Sequence, residues 1–154
     1  MNPAEALLAA VLLLGGEAGA PQGQLAQPVV HARVSSDYGI RVDPLHGRHA
    51  FHEGIDLAAS IGSIVRAVAP GQVIFSGYHA GYGRVIALRH NDEVTTLYAH
   101  CWAVRVTVGD RVQAGSILGF VGESGRATGP HLHFEIRING KSLDPLALLK
   151  AAQP

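Results

Sequence analysis

A chain of 154 residues with 47% hydrophobic side chains is long enough to bury the core of one domain. Twelve Lys and Arg against twelve Asp and Glu leave a formal net charge of zero with no basic run or stripe, which argues against nucleic acid as a partner. One cysteine, Cys101, excludes an internal disulfide and disfavours a thiolate-built structural zinc, so the nine histidines are the one compositional hint of metal chemistry.

Taken in chain order, the first feature is an unbroken apolar run at residues 6–14, followed by Gly15-Gly16-Glu17-Ala18-Gly19-Ala20-Pro21. The run is far short of the ~20 residues that span a bilayer, so no transmembrane span is expected. Its length and small-residue tail have the character of a secretory signal. Against that, no Lys or Arg precedes the run, and Pro21 directly follows one candidate cleavage site. A short helix packed on the domain is the competing reading, and a true start upstream of Met1 is a third. Residues 21–28 read as a linker. The chain then divides into an N-terminal segment and linker, 1–28, and a domain proper, 29–154.

From Val34 onward the pattern is short strands and turns. Ser63 to Val68 is one candidate strand, closed by Pro70-Gly71; Gln72 to Tyr78 is another, ended by Gly81-Tyr82-Gly83. Arg84 to His90 and Glu93 to His100 flank Asn91-Asp92 and read as a hairpin. The stretch from Val106 to Gly119 alternates β-branched runs with glycine turns. From His131 to Ile138 polar and apolar residues alternate strictly, the signature of a half-buried strand, and Asn139-Gly140 then supplies a tight hairpin turn. Many short strands at close spacing predict an all-β fold, mostly antiparallel sheet arranged as a sandwich or open barrel. Helices are expected only at the two ends, residues 6–14 and 145–151.

Three constellations carry candidate chemistry. The first is His52-Glu53-Gly54-Ile55-Asp56. His52 and Asp56 could share a helix face, or a strand face at about 13 Å from about 3.3 Å per residue, too far for one metal. Gly54 between them lets the chain curl and bring the two groups together. A helical His-Glu-x-x-His site competes, but it needs a second histidine where Asp56 stands. The second is Tyr98-Ala99-His100 at a strand end, with Tyr98 on the face of His100. The third is the pair His131 and His133, neighbours on one strand face. Together these give one carboxylate and four imidazoles from three segments. A catalytic zinc takes three protein ligands and keeps a position for water, which would leave two histidines to handle protons.

Set in order, Ser35-Ser36-Asp37-Tyr38-Gly39-Ile40-Arg41, His52-Glu53-Gly54-Ile55-Asp56, Tyr98-Ala99-His100, Gly129-Pro130-His131-Leu132-His133-Phe134-Glu135 and Leu143-Asp144-Pro145 resemble the lysostaphin-type zinc endopeptidases that cut peptide cross-links in bacterial cell walls. The resemblance implies one zinc ion held by His52, Asp56 and His133, with His100 and His131 as catalytic histidines that are not ligands. It also implies a mostly antiparallel β core with the site in a groove, and stem peptides or cross-bridges of peptidoglycan as the substrate. A place in the cell envelope follows, periplasmic or secreted. Departures are His46 and His49 before His52, read as solvated loop residues, and Cys101 after His100. Arg41 is read as a buried or groove-lining charge, and Tyr82 as a substrate-reaching or edge-covering ring.

Two rival classes remain to weigh. A silent wall-binding module that activates another hydrolase would lack metal ligands, whereas all five positions are filled here. A lipoyl- or biotinyl-type carrier is suggested by the segment from Val108 to Gly115. It needs a lysine at a hairpin tip, and Lys141 and Lys150 lie in no such context.

Overall fold

The computed structural model describes residues 25–42 and 46–153. The apolar run at 6–14, its expected helix or signal, and the first part of the expected linker lie outside the described residues. Leu25 packs on the core, the Ala26 amide donates to the Val68 carbonyl at 2.9 Å, and Arg66 N–H donates to the Pro28 carbonyl at 2.9 Å. Among the described residues no helix is long and apolar enough to cross a membrane.

Twelve strands and one helix are formed among the described residues. The first four strands are short: β1 (Arg33–Ser36), β2 (Gly39–Val42), β3 (His49–His52) and β4 (Ile55–Ala58). Then come β5 (Ile64–Arg66), β6 (Gly71–His79), β7 (Gly83–Arg89), β8 (Val94–Val104), β9 (Arg111–Val112) and β10 (Ile117–Val121). The chain closes with β11 (His131–Ile138), β12 (Lys141–Leu143) and the helix α1 (Leu146–Ala151). All strand pairings are antiparallel. Ten strands make one sheet in the order β1-β4-β11-β8-β7-β6-β9, with β12 beside β11, β10 beside β8 and β5 beside β10. Strands β2 and β3 pair separately. The all-β, mostly antiparallel expectation holds, and β8 is long enough to pair with β7, β11 and β10.

Strand β11 keeps the bounds its alternation predicts, and it is the axis of the sheet. One face carries Leu132, Phe134 and Ile136, all fully buried with Ile55, Tyr98, Ile86 and Leu88. Burying side chains of this size stabilises the fold by about 1.5–3 kcal/mol each. The expectation of a half-buried strand fails on the other face, where His133 and Glu135 are buried as well. Polar groups tolerate that burial because partners from neighbouring elements satisfy them. Among the described residues no buried side-chain nitrogen or oxygen lacks a hydrogen-bond partner.

The β11–β12 turn is the predicted Asn139-Gly140, with φ of 52° and 78°, the double positive φ of a two-residue hairpin. Strand β5 is only three residues long, because its flanks bond elsewhere: Ser63 accepts from the Val121 amide and Ala67 donates to the Ser116 carbonyl. Strand β8 runs four residues past the predicted end at His100, through a bulge that has functional weight.

Candidate metal centre

The antiparallel register of β4 and β11 sets Asp56 directly opposite His133, so both side chains leave the sheet on one face. His52 ends β3, and the chain reverses at Glu53-Gly54 before β4 begins. Gly54 allows this by close approach. A Cβ there would lie 2.9 Å from Glu135 Cγ and 3.0 Å from His133 Cε1, and would collide with the Phe134 carbonyl oxygen. The result is a triangle of ligand atoms. His52 Nε2 is 3.1 Å from Asp56 Oδ1, His133 Nδ1 is 3.0 Å from the same oxygen, and the two nitrogens are 3.1 Å apart. These three residues form the one group able to hold a metal ion among the described residues.

The protons show what the triangle wants. His52 Nδ1–H donates to the Asp37 carbonyl at 2.7 Å, and His133 Nε2–H donates to Glu135 Oε1 at 2.8 Å. A neutral imidazole has one N–H, so both nitrogens at the centre present lone pairs to a carboxylate oxygen and to each other. Three acceptors facing one another call for a cation; with no metal bound, protons on the rings take that place and are donated to Asp56 Oδ1. Tetrahedral zinc with bonds of about 2.0–2.1 Å has ligand atoms about 3.3 Å apart, a small expansion of the triangle seen here. The donor set of two imidazoles and a carboxylate therefore fits zinc.

Burial opposes the charge on Asp56, yet hydrogen bonds to His133 and His52 outweigh it and hold the carboxyl far below its ordinary range. Burial likewise opposes a proton on His133, but its bonds to Asp56 and Glu135 raise the pKa above the usual value. Glu135 is fully buried, and that burial is overcome by His133, Tyr82 and Arg137, which keep it ionised.

His131 and His100 flank the triangle. His131 Nδ1–H donates to the Gly129 carbonyl at 2.8 Å, leaving Nε2 3.6 Å from Asp56 Oδ1. His100 Nδ1–H donates to the Ser124 carbonyl at 2.6 Å, and its ring lies 4.9 Å from that of His131 and 5.9 Å from that of His133. Burial pushes the His100 pKa down, reinforced by the two neighbouring histidines and opposed by the Ser124 carbonyl. Each ring thus presents a free Nε2.

Strict alternation would put His100 on the face of Tyr98, as the sequence suggests, and the structure corrects this. The β7–β8 register steps from Ile86↔Tyr98 to Arg84↔Cys101, three residues against two, and His100 has φ of +62°. That bulge turns His100 to the metal face while Tyr98 stays in the core against Phe134, ring centroids 5.3 Å apart. A left-handed histidine costs on the order of 1–3 kcal/mol and needs outside support. Its N–H donates to the Tyr82 carbonyl at 2.8 Å.

The remaining expectations divide. Arg41 is not buried: its side chain is 52% exposed, bonds Ser36 Oγ at 2.8 Å and reaches to 3.9 Å from Asp56 Oδ2 at the site's edge. His46 and His49 are exposed, but His49 opens β3 opposite Val42 and does not lie in a loop. Tyr82 is half-buried in the loop before β7, and its hydroxyl donates to Glu135 Oε1 at 2.7 Å. The roles of Glu135, Arg137 and the Asp37 carbonyl were not foreseen. A carboxylate two residues after a histidine on one strand face was the available signal for Glu135.

An antiparallel β fold carrying two imidazoles and a carboxylate, with two more histidines poised beside them, defines a single-metal hydrolytic centre of the zinc peptidase class. The chain belongs to peptidase family M23, whose model matches residues 50–145. It is 45% identical over 122 residues to the DD-carboxypeptidase/endopeptidase Mpg of Neisseria meningitidis, covering 79% of this chain and 28% of that protein. Identity to the peptidoglycan DD-endopeptidase ShyC of Vibrio cholerae is 36% over 122 residues, with the same coverage of each. A zinc-containing peptidase from Vibrio cholerae has a similar structure, with a TM-score of 0.75, 30% identity, and coverage of 85% of this chain and 40% of that one. The chain spans little more than a quarter of the length of these curated relatives.

Proposed function

We propose that residues 29–154 form the catalytic domain of a zinc-dependent endopeptidase that hydrolyses peptide cross-links of bacterial peptidoglycan, working in the cell envelope, periplasmic or secreted. The observation that carries this reading is the convergence of His52 Nε2, Asp56 Oδ1 and His133 Nδ1, while His52 Nδ1 and His133 Nε2 are bonded to Asp37 and Glu135. Zinc bound there supplies a Lewis acid that polarises a carbonyl and brings the pKa of water down to about 7. His52, Asp56 and His133 hold the ion. His100 and His131, each locked by a backbone carbonyl, offer Nε2 to take a proton from the attacking water and to return it to the leaving amine. A ring that has taken the proton carries Nε2–H and can donate it as a hydrogen bond to the oxyanion that develops on the substrate.

Support for the substrate comes from the relatives' names, a DD-carboxypeptidase/endopeptidase and a peptidoglycan DD-endopeptidase. Those names favour a bond between D-amino-acid residues over a glycine bridge. A silent binding module is disfavoured, since the three metal-holding side chains and both accessory histidines are present and converge. Mass spectrometry of fragments released from defined peptidoglycans tests the reading. Cleavage of the peptide cross-link that a chelator abolishes and zinc restores is expected. No release, or release indifferent to chelator, would overturn it.

A further inference from the structure

Tyr82 sits at the tip between β6 and β7, flanked by Gly81 and Gly83, both at positive φ. The loop is held by its backbone: Arg126 N–H donates to the Gly81 carbonyl at 3.0 Å, and a Cβ on Gly83 would collide with Ser124. From this anchored position one residue reaches two parts of the site. The Tyr82 carbonyl accepts the N–H of His100 and so braces its left-handed backbone. The Tyr82 hydroxyl donates to Glu135 Oε1 at 2.7 Å, the same oxygen that accepts His133 Nε2–H at 2.8 Å.

Glu135 has no freedom left. Arg137 Nε donates to Oε2 at 2.9 Å, Arg137 Nη2 lies 2.7 Å from the same oxygen, and Nη2 also donates to the Tyr82 hydroxyl at 3.2 Å. Arg137 in turn pairs with Glu53, next to the metal-holding His52, at 3.3 Å. The carboxylate is therefore fixed in two dimensions by the Arg137 fork and in the third by Tyr82. Its one remaining task is to accept from His133. An imidazole on a strand can rotate about χ2 and swap which nitrogen faces the metal; an immobile acceptor at Nε2 prevents that.

We propose that Tyr82 is a positioning residue of the metal centre: through Glu135 its hydroxyl holds His133 with Nδ1 aimed at Asp56 and His52. This rests on the reading of His52, Asp56 and His133 as the metal-holding set. Because the backbone anchors the loop, Tyr82→Phe removes the hydroxyl and leaves the rest in place.

The test is zinc affinity, read by competition with a chromophoric chelator on the wild-type chain and on Tyr82→Phe. A loss of about 10–100-fold is expected, the range for partners that orient a metal-holding histidine. The metal-free Tyr82→Phe chain should keep a cooperative urea transition at a lowered midpoint, since a bond to a buried carboxylate is lost, and its hydrolytic rate should recover when zinc greatly exceeds its weakened Kd. Equal affinities would overturn the proposal and leave the metal centre standing, whereas a wild-type chain that takes up no zinc would overturn both. Nitrogen-15 NMR of the zinc-loaded wild-type chain gives an answer free of any variant. Zinc on Nδ1 of His133 with a solvent-protected Nε2–H agrees with the proposal; zinc on Nε2 contradicts it.

Discussion

Asp56 in β4 and His133 in β11 face one another across an antiparallel ladder, and their side chains meet with Oδ1 3.0 Å from Nδ1. Two groups separated by 77 positions are thus fixed by sheet register, with no loop to adjust between them. A shift of one residue in this pairing would turn one of the two to the opposite face and separate them. His52 then needs only the Gly54 reversal to complete the set.

Removing one corner of the triangle should remove the metal. His133→Ala is expected to fall from one zinc per chain to none after dialysis, measured by inductively coupled plasma mass spectrometry. Stoichiometric zinc in that variant would cancel its assignment as a ligand.

His131→Ala should separate chemistry from binding. Its ring is 3.6 Å from Asp56 but is tied to the Gly129 carbonyl, outside the triangle. Zinc content should stay at one per chain while hydrolysis drops by roughly 10²–10⁴-fold, the usual contribution of a general acid or base. A variant within a few-fold of the wild-type rate would remove His131 from the reaction.

Gly54→Ala tests the close approach between the β3–β4 reversal and β11. The new methyl would press on Glu135 Cγ and the Phe134 carbonyl, both in the rigid central strand. Overpacking of this kind costs about 1–3 kcal/mol, and the displaced segment carries His52. Chemical denaturation should show that loss together with weakened zinc binding. A variant of wild-type stability and affinity would mean that the reversal has slack.

A half-buried histidine at the edge of the core lies apart from the metal site. His90 Nδ1–H donates to the Pro70 carbonyl at 2.7 Å, and Nε2 lies 2.6 Å from Thr96 Oγ1, itself 3.0 Å from the Tyr98 hydroxyl. Burial lowers its pKa, with the Pro70 carbonyl opposing. The folded chain then resists a proton that the unfolded chain accepts. The contribution is complete above the unfolded pKa of about 6.5 and is lost as pH falls below it, by up to ~1.4 kcal/mol per pH unit, until the folded pKa is passed. Proton NMR should show a neutral His90 at pH 6, and urea stability should decline from pH 6.5 downward. A His90 that titrates near 6.5 in the folded chain would contradict this.

The strand at His131–Ile138, its Asn139-Gly140 turn and the short helix near the C-terminus were legible because alternation, turn chemistry and a terminal apolar cluster are local signals. Strands β1 to β4 were not separately legible: segments of four residues carry too little periodicity, and β4 is buried on both faces. The face of His100 was misread because a bulge depends on partner strands rather than on the bulged residues. Glu135 and Tyr82 stand 53 positions apart, and only the folded chain shows that they share a hydrogen bond. The types of the site residues were visible in the sequence; their tautomers, set by Asp37, Gly129, Ser124 and Glu135, were not.

The most direct measurement is anomalous X-ray scattering at the zinc edge from crystals of the zinc-loaded chain. One peak about 2.0–2.2 Å from each of His52 Nε2, Asp56 Oδ1 and His133 Nδ1 is predicted. A peak bound elsewhere, at His46 or His49 for example, or no peak in protein equilibrated with excess zinc, would contradict the account.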